Sequence, residues 1–265
     1  MLFWSRADDA ALPQARQGRG DSDGEHLYVI DPQTDRELEN ADRLGGQLTL
    51  IQGSSGGWLG SLRSFGRRAF DIIFATLALL ATLPLLVVIV ITIRASSHGP
   101  ALFRQRRLGL RGKHFVCLKF RTMVHDADTV LTQVLADNPQ LQEEFDESLK
   151  LKQDPRITKI GRFLRRTSLD ELPQFWNVLK GDMSVVGPRP KLLEEAERYG
   201  QFMPLILSVK PGITGLWQVS GRNDTSYDER VELDRLYVLR QSFLLDLTII
   251  ARTVQVVITP SNGAY

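Results

Sequence analysis

The chain has 265 residues, of which 43% are hydrophobic and 24% charged, with a formal net charge of +2. That length holds one large domain or two small ones around a true core. The single cysteine, Cys117, excludes an internal disulfide, and the four histidines (His26, His98, His114, His125) form no pair at zinc-ligand spacing, so a reducing, cytoplasmic setting is expected.

Residues 1–60 carry five arginines against ten acidic residues, a net charge of about −5. They show no useful helical or strand periodicity, and "GSSGGWLG" at 53–60 reads as a linker. The segment is expected to be disordered, with one short strand conceivable at "HLYVI" (26–30). The start, "MLFWSRADDA", has no basic region followed by an apolar one, so no signal peptide is expected. The rest of the chain holds 28 basic and 21 acidic groups, and a basic body calls for an anionic partner: phosphates, a membrane surface or nucleic acid.

Ile72 to Ile93, "IIFATLALLATLPLLVVIVITI", is an uncharged run. As a helix it would be about 33 Å long, enough for a hydrocarbon core of roughly 30 Å. Two features oppose a simple crossing. Pro84 sits near its middle, where a kink or break is expected. Arginines stand on both flanks: Arg63, Arg67 and Arg68 before, and Arg94, Arg104, Arg106, Arg107 and Arg111 after. Positive charge prefers the cytoplasmic side, so a re-entrant helix over 61–95 that returns to the same face satisfies both ends.

Two short runs, 101–108 and 114–121, flank a basic turn with Gly109 and Gly112 and predict a β-hairpin. Residues 126–150 predict a helix that breaks near Asn138-Pro139, and 154–166 a turn followed by a short basic helix. Residues 201–222 are punctuated by glycine and proline and are expected to be irregular. The last predicted unit, from Tyr227, is one helix broken near Ser242, or two, and its apolar end at 243–258 is a candidate interfacial helix.

"RRTSLDELPQFWNVLKGDMSVVGPRP" (165–190) carries the chemistry. Leu172, Phe175, Trp176 and Leu179 mark a helix face that Gly181 ends. Ser168 and Glu171 fit a capping box; alternatively Asp170 is the N-cap and Pro173 lies in the first turn. On either reading the acidic pair Asp170-Glu171 merely complements a helix end. The surroundings ask for more, because Arg165 and Arg166 precede the pair and Arg189 follows between two prolines. Carboxylates among guanidinium groups make sense where a divalent cation and a pyrophosphate share one site. The arginines would hold phosphate oxygens, and a carboxylate would bind Mg²⁺ or attack phosphorus.

Three stretches, "GPALFRQRRLGLRGKHFVCLKFRTM", "DPRITKIGRFLRRTSLDELPQFWNVLKGDMSVVGPRP" and "KPGITGLWQVSGRN", resemble the bacterial sugar transferases, the monotopic polyprenyl-phosphate phosphoglycosyl transferases. With the apolar run the resemblance covers about 61–265. It is strongest to the undecaprenyl-phosphate galactose phosphotransferases of exopolysaccharide pathways, down to the ending "GAY". One departure is Leu83 before the proline, where the family often has a small polar residue.

The resemblance implies a mostly helical α+β fold: a monotopic, membrane-associated catalytic region (96–265) with a re-entrant helix, a small β-hairpin and interfacial amphipathic helices. It implies a UDP-hexose donor, undecaprenyl phosphate as acceptor and Mg²⁺ as cofactor, at the cytoplasmic face of the bacterial inner membrane. Asp170 would attack the β-phosphorus and expel UMP. Glu171 would be its acidic partner as base or metal ligand, and Lys119, Arg121, Arg165, Arg189 and Arg222 would bind phosphate. The sugar, the polysaccharide pathway and any homo-oligomer stay open. A competing class is a membrane-tethered, non-catalytic anion-binding module using the basic hairpin at 104–113. That hairpin has no nucleic-acid motif and no interleaved stacking aromatics, so no nucleic-acid partner is expected.

Overall fold

The structure, a computed structural model, describes residues 58–148, 151, 153–220 and 225–258. The strand considered at 26–30 and nearly all of the 1–60 segment lie outside these residues. The chain opens on α1 (Trp58–Ser96), so helix begins within the expected linker. The β-hairpin follows as β1 (Leu102–Leu108) and β2 (His114–Phe120). Next come α2 (Ala127–Asp137), α3 (Pro139–Ser148) and α4 (Lys159–Arg166). A 3₁₀ turn (Leu169–Glu171) leads into α5 (Gln174–Lys180) and then β3 (Ser184–Val186). α6 (Ala196–Tyr199) follows, and short pieces fill the region expected to be irregular: α7 (Met203–Ile206), β4 (Gly212–Thr214) and α8 (Leu216–Ser220). Two helices close the described chain, α9 (Tyr227–Leu239) and α10 (Phe243–Ile258), separated at the expected Ser242.

β1 and β2 pair antiparallel from Leu102↔Phe120 to Leu108↔His114, and β3 pairs parallel with β4. The α2–α3 division falls at Asn138, as the Asn-Pro step requires. Leu83-Pro84, in contrast, does not interrupt α1, which continues as helix through it. A proline removes one backbone donor, and the turns on either side keep their own hydrogen bonds.

α1 is built into the body at two places. Arg67 meets Asp246 at 2.8 Å and also donates to the Tyr237 hydroxyl. Arg68 donates to Val178 O and Leu179 O, carbonyls of the last turn of α5. Asp71 is buried and accepts from Ser184 Oγ and Val185 N, both at 2.9 Å. One helical turn on, Ala75 enters a core with Val178, Met183, Val185, Tyr237 and Ile249. Farther along, Ile89 and Ile93 pack with Ala101, Phe120 and Leu164 in a second cluster. Between these anchors Leu77, Leu80, Leu83, Val87 and Val88 are exposed. α10 likewise buries Asp246 and Ile249 while exposing Phe243, Leu244, Leu247, Val254 and Ile258. α1 is long and apolar enough to enter a membrane, by length and composition.

Candidate active site

Asp170 and Glu171 lie in the 3₁₀ turn between α4 and α5. Neither sequence-based capping arrangement forms. Ser168 takes a left-handed conformation (φ 56°) and caps nothing with its side chain, while Asp170 lies inside the turn. Pro173 occupies the position before α5, and Gly181 ends that helix at φ 92° as expected. Asp170 is buried at 8% exposure, and the adjacent Glu171 is held between two cations.

Glu171 Oε1 accepts from Lys119 Nζ at 2.8 Å and from Arg189 Nη1 at 3.0 Å. β2 supplies the lysine. Arg189 comes from the Pro188–Lys191 strap after β3, which is pinned along its length. Gly212 N donates to Pro188 O, Arg107 Nη1 to Pro190 O, and Leu108 N to Lys191 O. Lys191 Nζ reaches the fully buried Asp234 of α9 at 2.9 Å, and the Tyr199 hydroxyl donates to the same carboxylate oxygen at 2.8 Å.

The electrostatics separate the pair. Burial pushes the Asp170 carboxyl up to about 6, helped by the adjacent Glu171 charge and opposed by Lys119, Arg189 and Arg165. Burial also acts upward on Glu171, but Arg189 and Lys119 outweigh it and bring that group down to about 2. Glu171 is therefore the permanent anion that fixes two cations, and Asp170 the carboxylate whose charge is least compensated.

The other basic residues divide. Arg165 lies near enough to Asp170 for its charge to act on that carboxylate, and its Nε donates to Thr122 Oγ1 at 2.9 Å. Arg121 turns instead to the end of α1, where it donates to Ser97 O, Ser97 Oγ and His98 O. Arg222 lies outside the described residues. Thus the fold brings Lys119, Arg165, Asp170, Glu171 and Arg189 together. Arg107, Lys191, Asp234 and Thr122 support them, and nothing in their sequence spacing marks those four.

Among the described residues no group of three or more Asp, Glu, His or Cys side chains is placed to hold a metal by itself. The donor set still suits Mg²⁺, which takes one or two carboxylates and completes its shell with phosphate oxygens and water. Hard oxygens from Asp170 and Glu171 stand beside cations suited to phosphate.

The family description "Bacterial sugar transferase" matches residues 62–260. The undecaprenyl-phosphate galactose phosphotransferase of Salmonella typhimurium is 47% identical over 201 residues, 76% of this chain and 42% of that protein. Exopolysaccharide production protein ExoY of Sinorhizobium fredii is 44% identical over 209 residues, 78% of this chain and 92% of that protein. The UDP-glucose:undecaprenyl-phosphate glucose-1-phosphate transferase of Escherichia coli is 44% identical over 197 residues, 71% of this chain and 39% of that protein. The match thus spans about two fifths of the Salmonella and Escherichia proteins and nearly the whole of ExoY. A motif-bearing site at the junction of the hairpin, the 3₁₀ turn and the proline strap, within a family match over most of its length, establishes that the chain belongs to the bacterial sugar transferase family.

Proposed function

We propose that the chain transfers a hexose-1-phosphate, with galactose favoured, from a UDP-sugar to undecaprenyl phosphate and so initiates exopolysaccharide or other glycoconjugate assembly. The observation that carries this is Asp170, a buried carboxylate short of compensating charge, beside a Glu171 that anchors Lys119 and Arg189. An Asp170 oxygen attacks the β-phosphorus, the bond to the α–β bridging oxygen breaks, and UMP leaves with that electron pair. The sugar phosphate stays on Asp170 as an acyl phosphate. A phosphate oxygen of the lipid then attacks the same phosphorus and frees the aspartate.

Lys119, Arg165 and Arg189 spread the charge of the phosphoryl group in flight. Mg²⁺ held by Asp170 and Glu171 would neutralise pyrophosphate oxygens. Glu171 stays ionised throughout and keeps the two cations aimed. The relatives named for galactose and for glucose keep both sugars within the reading, and an N-acetylated UDP-hexose is the further alternative.

The acceptor's phosphate lies at the headgroup level, so the site must lie there too. The reading places the enzyme on the cytoplasmic face of the inner membrane, with α1 entering and leaving by that face. Its support is that one catalytic body grips α1 at Arg67–Ala75 and again at Ile89–Ile93. Exposed apolar side chains run along α1 from Ile72 to Ile91, and this is the stretch that enters the bilayer. The exposed apolar side of α10 fits the same interface.

The test is a panel of UDP-galactose, UDP-glucose and N-acetylated UDP-hexoses, each assayed for UMP release with undecaprenyl phosphate and Mg²⁺. UMP and a lipid-linked diphosphosugar should appear together, most readily with UDP-galactose. Absence of UMP with every donor would refute the reaction.

A further inference from the structure

Five arginines and lysines were candidates for holding phosphate, and the fold treats two of them in opposite ways. Arg121 spends its terminal nitrogens on backbone oxygens at the end of α1. Arg165, some forty positions on, spends only its Nε, on the hydroxyl of Thr122, the very next residue after Arg121. Among the described residues that hydroxyl is the one hydrogen-bond partner of the Arg165 side chain. A guanidinium held through Nε keeps its outer pair of nitrogens, the edge that matches two phosphate oxygens, available.

Thr122 is itself fixed. It is 7% exposed and lies two residues past the end of β2. Its carbonyl accepts from Thr158 N at 3.0 Å, so the N-cap residue of α4 is tied to it. Gly161 lies so close that a Cβ there would stand 1.9 Å from Thr122 O. α4 therefore starts on the Thr122 backbone, and Arg165, one turn after Gly161, returns its side chain to the Thr122 hydroxyl. Arg165 and Asp170 line one groove, and the Arg165 charge acts to lower the Asp170 pKa.

We propose that Thr122 is a positioning residue: its hydroxyl accepts the Arg165 Nε–H and aims the outer edge of that guanidinium at the donor's diphosphate beside Asp170. This rests on the UDP-sugar reading above. A threonine suits the task because the hydroxyl is the only atom required, and the branched side chain has few rotamers. Valine has the same shape without the acceptor; serine keeps the acceptor without the methyl group.

The full-length enzyme in detergent or nanodiscs tests this with Thr122→Val, Thr122→Ser, Arg165→Ala and the Thr122→Val/Arg165→Ala double variant. Two readouts are taken: KM and kcat for UDP-galactose by UMP release, and UDP binding in the presence of Mg²⁺ by calorimetry. Thr122→Val should raise KM and weaken UDP about tenfold, since a misaimed group loses on that scale. Thr122→Ser should restore both to within about threefold. In the Arg165→Ala background, Thr122→Val should change UDP binding by less than about twofold, because nothing is left to aim.

Equal losses from Thr122→Val with and without Arg165 would overturn the positioning role and assign Thr122 to folding alone. So would wild-type binding in Thr122→Val. If the wild type binds UDP yet releases no UMP from any donor, the transfer reaction fails while the binding cycle still decides the role of Thr122.

Discussion

A carboxylate that attacks phosphorus must be ionised, and Asp170 is placed where ionisation is expensive. Burial raises its pKa from 3.8 to about 6. A group with a folded pKa above its unfolded one stabilises the fold when protonated, and that stability is lost as pH rises through the folded value. Two outcomes follow for Asp170→Asn, which keeps the shape and removes the charge. UMP release should vanish, and the variant should melt no lower than the wild type at pH 8. Its advantage there should be on the order of 1–3 kcal/mol, shrinking to nothing below about pH 4. An active Asp170→Asn would remove the nucleophilic role. Glu171 behaves oppositely: held at about 2 by Arg189 and Lys119, it stays charged over the working range.

Among the elements, α4 and the strap do the positioning. α4 is a short helix whose Thr158 accepts from Gly161 N, and its first turn lies on the Thr122 backbone. Helix propensity alone says Gly161→Ala should stabilise by about 1 kcal/mol. The contact reverses that sign, because the added methyl meets a carbonyl that belongs to a packed strand end. The expectation is a loss of about 1–3 kcal/mol, seen as a lower melting temperature, with a higher KM for the UDP-sugar because Arg165 moves with the helix. A more stable Gly161→Ala enzyme would show that α4 is free to shift. The strap relies on backbone contacts and on the buried Lys191–Asp234 pair, so Arg189 reaches Glu171 from a rigid segment.

Over the whole molecule, polar contacts and two apolar clusters attach α1 to one body, and the proposed topology puts both ends of α1 in the cytoplasm. The check begins with Cys117→Ser, then single cysteines at Ser61 and Ala95. A thiol reagent that cannot cross the inner membrane should label neither position in intact cells and both after the membrane is opened. Labelling of one position alone in intact cells would mean a crossing helix. Pro84→Leu should shift labelling toward that pattern, because the added donor completes the hydrogen bonding a spanning helix needs.

Local signals set much of this from the sequence. The hairpin, the α2–α3 break at Asn138-Pro139, the basic helix before the acidic pair, the Gly181 stop and the division at Ser242 all follow from residues close in the chain. The long ordered motifs marked the family and singled out Asp170-Glu171 for the same reason. What spacing could not determine was which partner each charge meets. The capping geometry at Ser168 gave way to a left-handed turn, with Asp170 buried and Glu171 ion-paired to Lys119 and Arg189. Arg121 and Arg165 are equal as sequence, and only packing turns one to the end of α1 and the other to the site. Thr122, Arg107, Lys191 and Asp234 carry no local signature, because each acts across dozens of positions. Hydrogen bonds and ion pairs of that range exist only after hydrophobic clustering has brought α1, the hairpin and α5 together, and so tertiary structure alone decided them.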